Sequence, residues 1–551
     1  MEYYSTLQKC VHKTNLTPGG FELDFKNGIN ILVGNNEAGK STILEAIHMA
    51  LSGIFRGRAL IRNLTQYLFN YNVVEEYLKS ISNGKPIEPP YILIELYLED
   101  GAFPVLEGDL FTDKRQTGKI NGVSLRIALD EKYNEEYTEL IKSGELASLP
   151  IEYYTVDWYA FSRKPLTARS IPIKSSLIDA GLSKFQNGSD VYISRIVQNI
   201  LEIEEKTQVA QAYRRIKESF ANESAISAIN SKITDISKLS NKEIGLTVDL
   251  GARSTWDGSL IMQLDNIPFD FIGKGEQSVI KTDLALSDKR SEKSSVILIE
   301  EPECHISHAR LNQLLESVKS NYGDKQIILS THNSFVANKL GLDNLILLNR
   351  QDTVRFDDLK AKEFFEKISG YDTLRLVLCD KVILVEGDSD ELVIQRAYMD
   401  NNGGRLPIED GVEVIYVGTS FIRFLEIAER LKIPVRVVTD NDGNISGLEK
   451  KYEEYLGKNK KENIEICYDK SIHTGPLTLG EGNKPFNYNT LEPLLLDVNG
   501  LDVLNTVFGT AYKSEDDLNK YMKNYKTECA LNIFSYKFTI NYPEYIMRAI
   551  Q

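Results

Sequence analysis

The chain has 551 residues, 42% hydrophobic and 26% charged, which is the composition of a globular protein long enough for two or three domains. A formal net charge of −15 argues against a protein that coats nucleic acid indiscriminately, because phosphate binding needs positive potential, although a local basic groove stays open. No apolar run reaches the length of a membrane span and the opening MEYYSTLQKC has no basic-then-apolar signal pattern, so the expected location is the cytoplasm. Cys10, Cys304, Cys379, Cys467 and Cys529 are scattered without metal-type spacing and read as reduced thiols. The basic stretches FRGRALIR (55–62) and SRKPLTARSIPIK (162–174) read first as solvated charged faces and second as groove material.

In chain order, the strand-like run GINILVG leads straight into Gly34, four residues, then Gly39-Lys40-Ser41. This is the GxxxxGK(S/T) pattern with an apolar strand before it and a helix behind it. Ile43, Leu44, Ile47, Ala50 and Leu51 would form the helix's one buried stripe. Glycines let backbone N–H groups close around phosphate oxygens, Lys40 adds charge at the outer phosphates, and the Ser41 hydroxyl can ligate Mg²⁺. Gly34, Asn35, Asn36, Gly39, Lys40, Ser41 and Thr42 are therefore the expected ATP-binding loop.

YILIELYLED and VSLRIAL follow as strands. From about 175 to 240 the apolar residues recur at three- and four-residue spacing, which reads as a helical pair suited to dimerisation. IGLTVDLG and SLIMQLD read as strands again. SSVILIEEPECH then ends four apolar residues with Glu300-Glu301: one carboxylate can hold Mg²⁺ and its neighbour can orient or deprotonate water. QIILSTHNSF ends a further strand near His332, a candidate γ-phosphate sensor.

Residues 348–375 read as a connection to a second strand–helix unit from 376 onward. DKVILVEGDSDELVIQRAYM ends a Val/Ile/Leu strand at Glu386-Gly387 and starts a helix near Asp388, with Asp390 in its first turn. By itself Asp390 reads as an ordinary helix cap. The strand GVEVIYVG, the helix FIRFLEIAERL and the strand PVRVVTDNDGN follow, the last ending at Asp440 and Asp442. Asp, Asn and Gly make ordinary turns, but in a parallel sheet the carboxyl ends of strands share the edge where ligands bind. Glu386, Asp440 and Asp442 should meet there, with Glu492 of YNTLEPLLL as a further single carboxylate. Carboxylates gathered at one edge repel unless cations neutralise them, which points to Mg²⁺ or Mn²⁺, and two such ions can drive phosphodiester hydrolysis.

The first set of motifs resembles the ABC-type ATPase heads of the SMC/RecF kind. FIGKGEQSVIKTDLAL resembles their signature loop through Gly273, Gly275, Glu276 and Gln277, although Gly273 stands where serine is usual and Glu300 where Walker B has aspartate. That resemblance implies ATP binding and a dimer in which the signature acts in trans, and the two departures point to slow hydrolysis. The VLVEGDSD and DND motifs resemble the Toprim fold. An ATPase head followed by Toprim is similar to the OLD (overcoming lysogenization defect) family of nucleases, including those of Gabija-type phage defence. The resemblance implies a two-metal site held by Glu386, Asp390, Asp440, Asp442 and Glu492. It also implies that Lys526, in NYKTECALNIF, stabilises charge on the scissile phosphate.

The expected architecture is α/β: an ABC-type head over 1–170 and 246–372, a helical insertion at 171–245, and a Toprim domain over 376–551. The leading functional reading is a metal-dependent DNA endonuclease regulated by ATP, with Glu301 as water-orienting group in the head and a role in anti-phage defence. A nuclease acting on RNA such as tRNA and an ATP-switched scaffold for a partner effector are the alternatives. A UvrD-like helicase is a candidate partner within the resemblance.

Overall fold

The computed structural model describes the chain apart from residues 1–6, 14–20, 57, 100–102, 114–116, 143–145, 180–184, 187–188, 191–200, 237–245, 250–255, 257–260, 288–295, 322–324, 350–351, 357–359, 368–372 and 480–483. Two units divide it, Met1–Thr331 and His332–Gln551.

In the first unit, Tyr154–Ala160 alternates buried and half-buried residues, the pattern of a strand with one face on a core. It pairs antiparallel with Ile120–Leu129, which continues to Ile92–Leu98, Leu7–Lys13 and Phe21–Asp24. A second sheet is parallel, in the spatial order Ser175–Asp179, Val296–Glu300, Gln326–Ser330, Ile29–Gly34. The last three of these are nearly continuous apolar runs, as strands buried on both faces must be. The helix Lys40–Ser52 packs on strands of both sheets, and Trp158 Nε1 donates to Ala50 O at 3.1 Å. The five positions of its expected stripe are all buried.

The helical stretch expected from about 175 begins later. Ser175–Asp179 is a strand in register with Val296–Glu300, and the helical pair is Ile203–Ala221 with Ser224–Ile236. Five residues of which only Leu177 and Ile178 are apolar carry too little periodicity to separate strand from helix, and here a neighbouring strand decides it. Of the strands expected over 244–265, Leu246–Asp249 is irregular and Gln263–Leu264 forms a short hairpin with Ile267–Pro268; residues 244–245, 250–255 and 257–260 lie outside the described residues.

The second unit carries four parallel strands in the order Val412–Tyr416, Lys381–Val385, Val435–Val438, Ile464–Cys467. The crossovers carry the helices Asp388–Asn401, Phe421–Leu431 and Ile445–Lys451. Helices at Leu491–Asn499, Leu501–Phe508, Glu515–Asn524, Lys526–Ser535 and Glu544–Ile550 close one core with the sheet, which includes Val385, Val438, Cys467, Leu494, Met522 and Ile546. The segment read as a bare connection is structured: Leu345–Asn349 pairs with Asp352–Arg355, and short helices occupy Lys362–Lys367 and Thr373–Leu378. Cys304, Cys379, Cys467 and Cys529 are free thiols. Among the described residues no helix is long and apolar enough to cross a membrane.

Candidate functional site

Two places gather chemistry-bearing residues, one in each unit. In the first, the strand Ile29–Gly34 ends at the loop and the helix begins at Lys40. Gly39 precedes it with φ 93°, a left-handed conformation that costs glycine little. Lys40 Nζ donates to Gly34 O at 3.0 Å and Asn35 O at 3.1 Å, so the ammonium lies over the loop where an outer phosphate would engage it. Burial lowers the Lys40 pKa, and the charges of Glu301 and Glu300 oppose that shift. The structure thus brings the P-loop lysine and the acidic strand end together. Asn35, Asn36, Ser41 and Thr42 are exposed.

The acidic loop is held tightly. Glu301, at φ 42°, donates its backbone N–H to Ser330 O at 3.1 Å, and its carboxylate accepts from the Cys304 thiol at 3.2 Å. Thr331 Oγ1 donates to Glu303 Oε1 at 2.7 Å, which ties the ends of two neighbouring strands. The helix Lys274–Ser287 carries Gly275 and Glu276. Gly275 lies against this same loop: a Cβ there would sit 2.3 Å from His305 O. Gln277 is buried and its amide donates to Phe269 O and Ile272 O at 2.8 and 2.9 Å, so it anchors the helix start. His332 is exposed and is the first residue of the second unit.

In the second unit, strand register sets the site. Val385 is paired with Tyr416, Leu384 with Val437, and Val438 with Cys467, so Glu386 and Asp440 leave neighbouring strands at the same carboxyl edge. The Asp390 carboxylate accepts from the Gly387 N–H at 3.0 Å, capping its helix while standing beside Glu386. Asp442, at φ 48°, accepts from Asn487 Nδ2 at 2.9 Å. Asp440 accepts from the Leu491 N–H at 3.4 Å, at the start of the helix that carries the buried Glu492. Lys526 Nζ lies 2.9 and 3.1 Å from the two oxygens of Glu492.

Electrostatics confirm that these groups share one field. Burial, then the Glu492 charge, pushes the Asp390 carboxyl up to about 7 against a weaker pull from the Gly387 N–H. Burial pushes Asp440 well above the carboxylate range, reinforced by Asp390, Glu492, Glu386 and Asp442. Burial also raises Glu386, and the Asp442 charge adds to it. Burial works against the charged form of Lys526, but Glu492, Asp440 and Asp390 outweigh it and raise the pKa. Five carboxylates are answered here by Lys526 and Lys451.

An all-oxygen donor set of this charge suits hard divalent cations such as Mg²⁺ or Mn²⁺. Among the described residues no three acidic, histidine or cysteine side chains already close around a single ion position. The donor chemistry fits a hard divalent cation.

The family comparisons meet this geometry. The model for the TOPRIM domain of overcoming-lysogenization-defect-like proteins matches residues 377–442, a span that holds Glu386, Asp390, Asp440 and Asp442. The chain carries an OLD-like TOPRIM domain. An AAA-domain model whose description refers to the AbiEii toxin of type IV TA systems matches residues 173–338, and another AAA-domain model matches 19–72, which contains the P-loop. The protein is therefore an enzyme joining an ATPase domain to a TOPRIM nuclease domain. Similar solved structures include an SMC head bound to the C-terminal winged-helix domain of ScpA (16% identity, 64% of this chain and 98% of that chain, TM-score 0.33). They also include the SMC head domain from Thermotoga maritima (14%, 64% and 99%, 0.30). A third is the C-terminal region of the Xanthomonas campestris pv. campestris OLD protein (19%, 32% and 92%, 0.22). A comparison with curated proteins returned no match.

Sequence reasoning missed several residues around the TOPRIM carboxylates. Burial of Tyr545, at 4% exposure, pushes its phenol well above the usual range, and the charges of Asp440, Asp390, Glu492 and Asp469 add to that. Asn441, Asn487 and Asn489 tie the Asp440–Gly443 loop to its surroundings. Asparagines beside a turn carry no signal that separates such a role from turn chemistry. The two basic stretches are largely exposed, with Arg56 paired to Glu45 and Arg163 to Asp109.

Proposed function

We propose that the protein is a divalent-metal-dependent endonuclease that hydrolyses DNA phosphodiester bonds under the control of nucleotide in its ATPase domain, in defence against phage. One observation carries the reading: five carboxylates and Lys526, drawn from four separate segments, converge at the carboxyl edge of one parallel sheet. A structural network would pair its charges, whereas here five carboxylates face Lys526 and Lys451, and holding them all ionised is costly without cations.

Glu386, Asp390, Asp440, Asp442 and Glu492 would hold the ions, which supply an activated water nucleophile and neutralise the phosphate. The chain's own groups do the rest. The Gly387 N–H fixes Asp390, Asn487 fixes Asp442, and the Leu491 N–H steadies Asp440. Lys526, released from Glu492 as charge arrives, would stabilise the additional negative charge on the phosphate in the transition state.

In the head, Lys40 and Ser41 would bind the nucleotide phosphates and Mg²⁺, Glu300 would share that ion, and Glu301 would orient water. His332 would sense the γ-phosphate, and Gly275 with Glu276 would close on nucleotide from a second copy, with the helical pair of residues 203–236 serving dimerisation. Gly273 and Glu300 in place of the usual serine and aspartate support a slow, switch-like head.

The test is cleavage of plasmid DNA and of total tRNA, each with Mg²⁺ or Mn²⁺ and titrated with ATP. Metal-dependent nicking of plasmid that disappears in Asp440→Ala and Lys526→Ala is the expected result. Cleavage retained in both variants would overturn the assignment, and cleavage of tRNA alone would move the substrate to RNA.

A further inference from the structure

Beside the carboxylates stands a second pair that the reading above does not use. His473 Nε2 lies 2.8 Å from Asp469 Oδ2, with the two side chains 32% and 22% exposed. The carboxylate is held from its other side, since Asp469 Oδ1 accepts from the Ser471 N–H at 2.9 Å. Neither partner can turn away without losing a bond.

The pair is fastened to the loop that carries Asp440 and Asp442. Asn441, between those aspartates and 3% exposed, donates through Nδ2 to Asp469 O at 2.7 Å and Ser471 O at 2.8 Å. On the far side Asn489 brackets the His473 backbone, accepting from its N–H at 2.7 Å and donating to its carbonyl at 2.9 Å. Asn489 N–H donates to Asn487 Oδ1 at 2.9 Å, and Asn487 Nδ2 reaches Asp442 at 2.9 Å. Hydrogen bonds through Asn441, Asn487 and Asn489 therefore link the imidazole–carboxylate pair to the loop of Asp440 and Asp442. Asp469 also contributes to the field at Tyr545 together with Asp440, Asp390 and Glu492.

With Nε2 committed to Asp469, Nδ1 is the ring atom left to meet a substrate, and among the described residues it has no hydrogen-bond partner. A carboxylate behind one imidazole nitrogen fixes the ring's orientation. We propose that His473, oriented by Asp469, donates the proton to the leaving oxygen of the phosphodiester; the inference rests on the nuclease reading. Water bonds to phosphorus, the bond from phosphorus to the leaving sugar oxygen breaks, and its electron pair stays on that oxygen. The Nδ1 proton goes to this oxygen, the attacking water releases its proton to solvent, and the imidazole is reprotonated from solvent. One diester and one water give one monoester and one alcohol.

The experiment compares oxygen and bridging-sulfur linkages at a cleavage position mapped on plasmid with the wild-type chain, using Mn²⁺ and both the 3′-S and 5′-S isomers. A thiolate leaves without protonation. His473→Ala should lower turnover on the oxygen linkage by ~100-fold or more and on the sulfur linkage by less than about 5-fold, each relative to wild type. Asp469→Asn should show a smaller loss with the same selectivity. His473→Gln carries the same comparison should the alanine variant fold poorly. Equal losses on both linkages would mean that the pair only braces the loop and would overturn the proposal, as would no loss on either. A wild-type chain that cuts neither linkage, nor plasmid, overturns the nuclease reading itself.

Discussion

Lys526 Nζ sits between the two oxygens of Glu492, at 2.9 and 3.1 Å, and the glutamate side chain is 8% exposed where the lysine is 48% exposed. The carboxylate is thus committed to the interior and the ammonium bridges to solvent. Lys526→Met would leave Glu492 without its cation beside Asp390 and Asp440. Removing one partner of a fully buried pair costs roughly 3–5 kcal/mol, and the lysine's exposure reduces this to about 1–3 kcal/mol. Calorimetry should show that loss in metal-free protein and most of it recovered with Mg²⁺ or Mn²⁺, while plasmid cleavage stays down by ~100-fold or more. Unchanged metal-free stability would show that the pair is energetically idle.

Asp440→Asn should act on stability in the opposite direction. The amide keeps an acceptor for the Leu491 N–H and removes one negative charge from a place where Asp390, Glu492, Glu386 and Asp442 all disfavour it. Functional sites commonly carry strain of this kind, and its relief is worth about 0.5–2 kcal/mol. The metal-free variant should melt higher than wild type, gain less from added Mg²⁺, and cut nothing. A lower melting temperature in the absence of metal would contradict the repulsion inferred for the cluster.

How much of this was legible in the sequence depends on whether the signal was local. The P-loop and the strand ends at Glu300, Glu386 and Asp440 were readable because an apolar run, a turn and a chemical group lie within about ten residues of one another. The edge shared by Glu386 and Asp440 followed from the parallel-sheet rule, and the register of Leu384 with Val437 places them there. Ser175–Asp179 was not readable as a strand, since its only decisive feature is pairing with Val296–Glu300, over a hundred residues on. The pairing of Leu7–Lys13 with Ile92–Leu98 in the antiparallel sheet is non-local in the same way. Tyr545 and Asn489 come into the surroundings of the TOPRIM carboxylates through folding of the C-terminal segments, and no spacing in the chain announces them.

Lys40→Ala isolates the head. Alanine suits a helix start as well as lysine does, so the cost to folding is confined to the two bonds from Nζ to Gly34 O and Asn35 O. Titration with ATP should show at least ~100-fold weaker binding, since a charge-assisted contact to phosphate is lost from a site built around it. Whatever response plasmid cleavage shows to ATP in the wild type should be flat in this variant. An ATP response that persists would place the controlling nucleotide elsewhere.

Gly275 and Gly273 are two residues apart and should respond differently. A Cβ on Gly275 would stand 2.3 Å from His305 O, a backbone atom in the loop that begins at Glu301, whereas nothing lies within 4 Å of a Cβ on Gly273. Gly275→Ala must therefore push the acidic loop, at about 1–3 kcal/mol, and move Glu301 away from the water it would orient. Gly273→Ser should stay within about 0.5 kcal/mol of wild type, because an exposed site with open space accepts the hydroxymethyl group. ATP turnover should fall in the first variant. In the second it should be kept or raised, since on the proposed signature reading the serine would supply a phosphate-binding hydroxyl. Equal behaviour of the two would mean that the helix start at Lys274 is not fixed against the acidic loop, and the signature reading would lose its structural support.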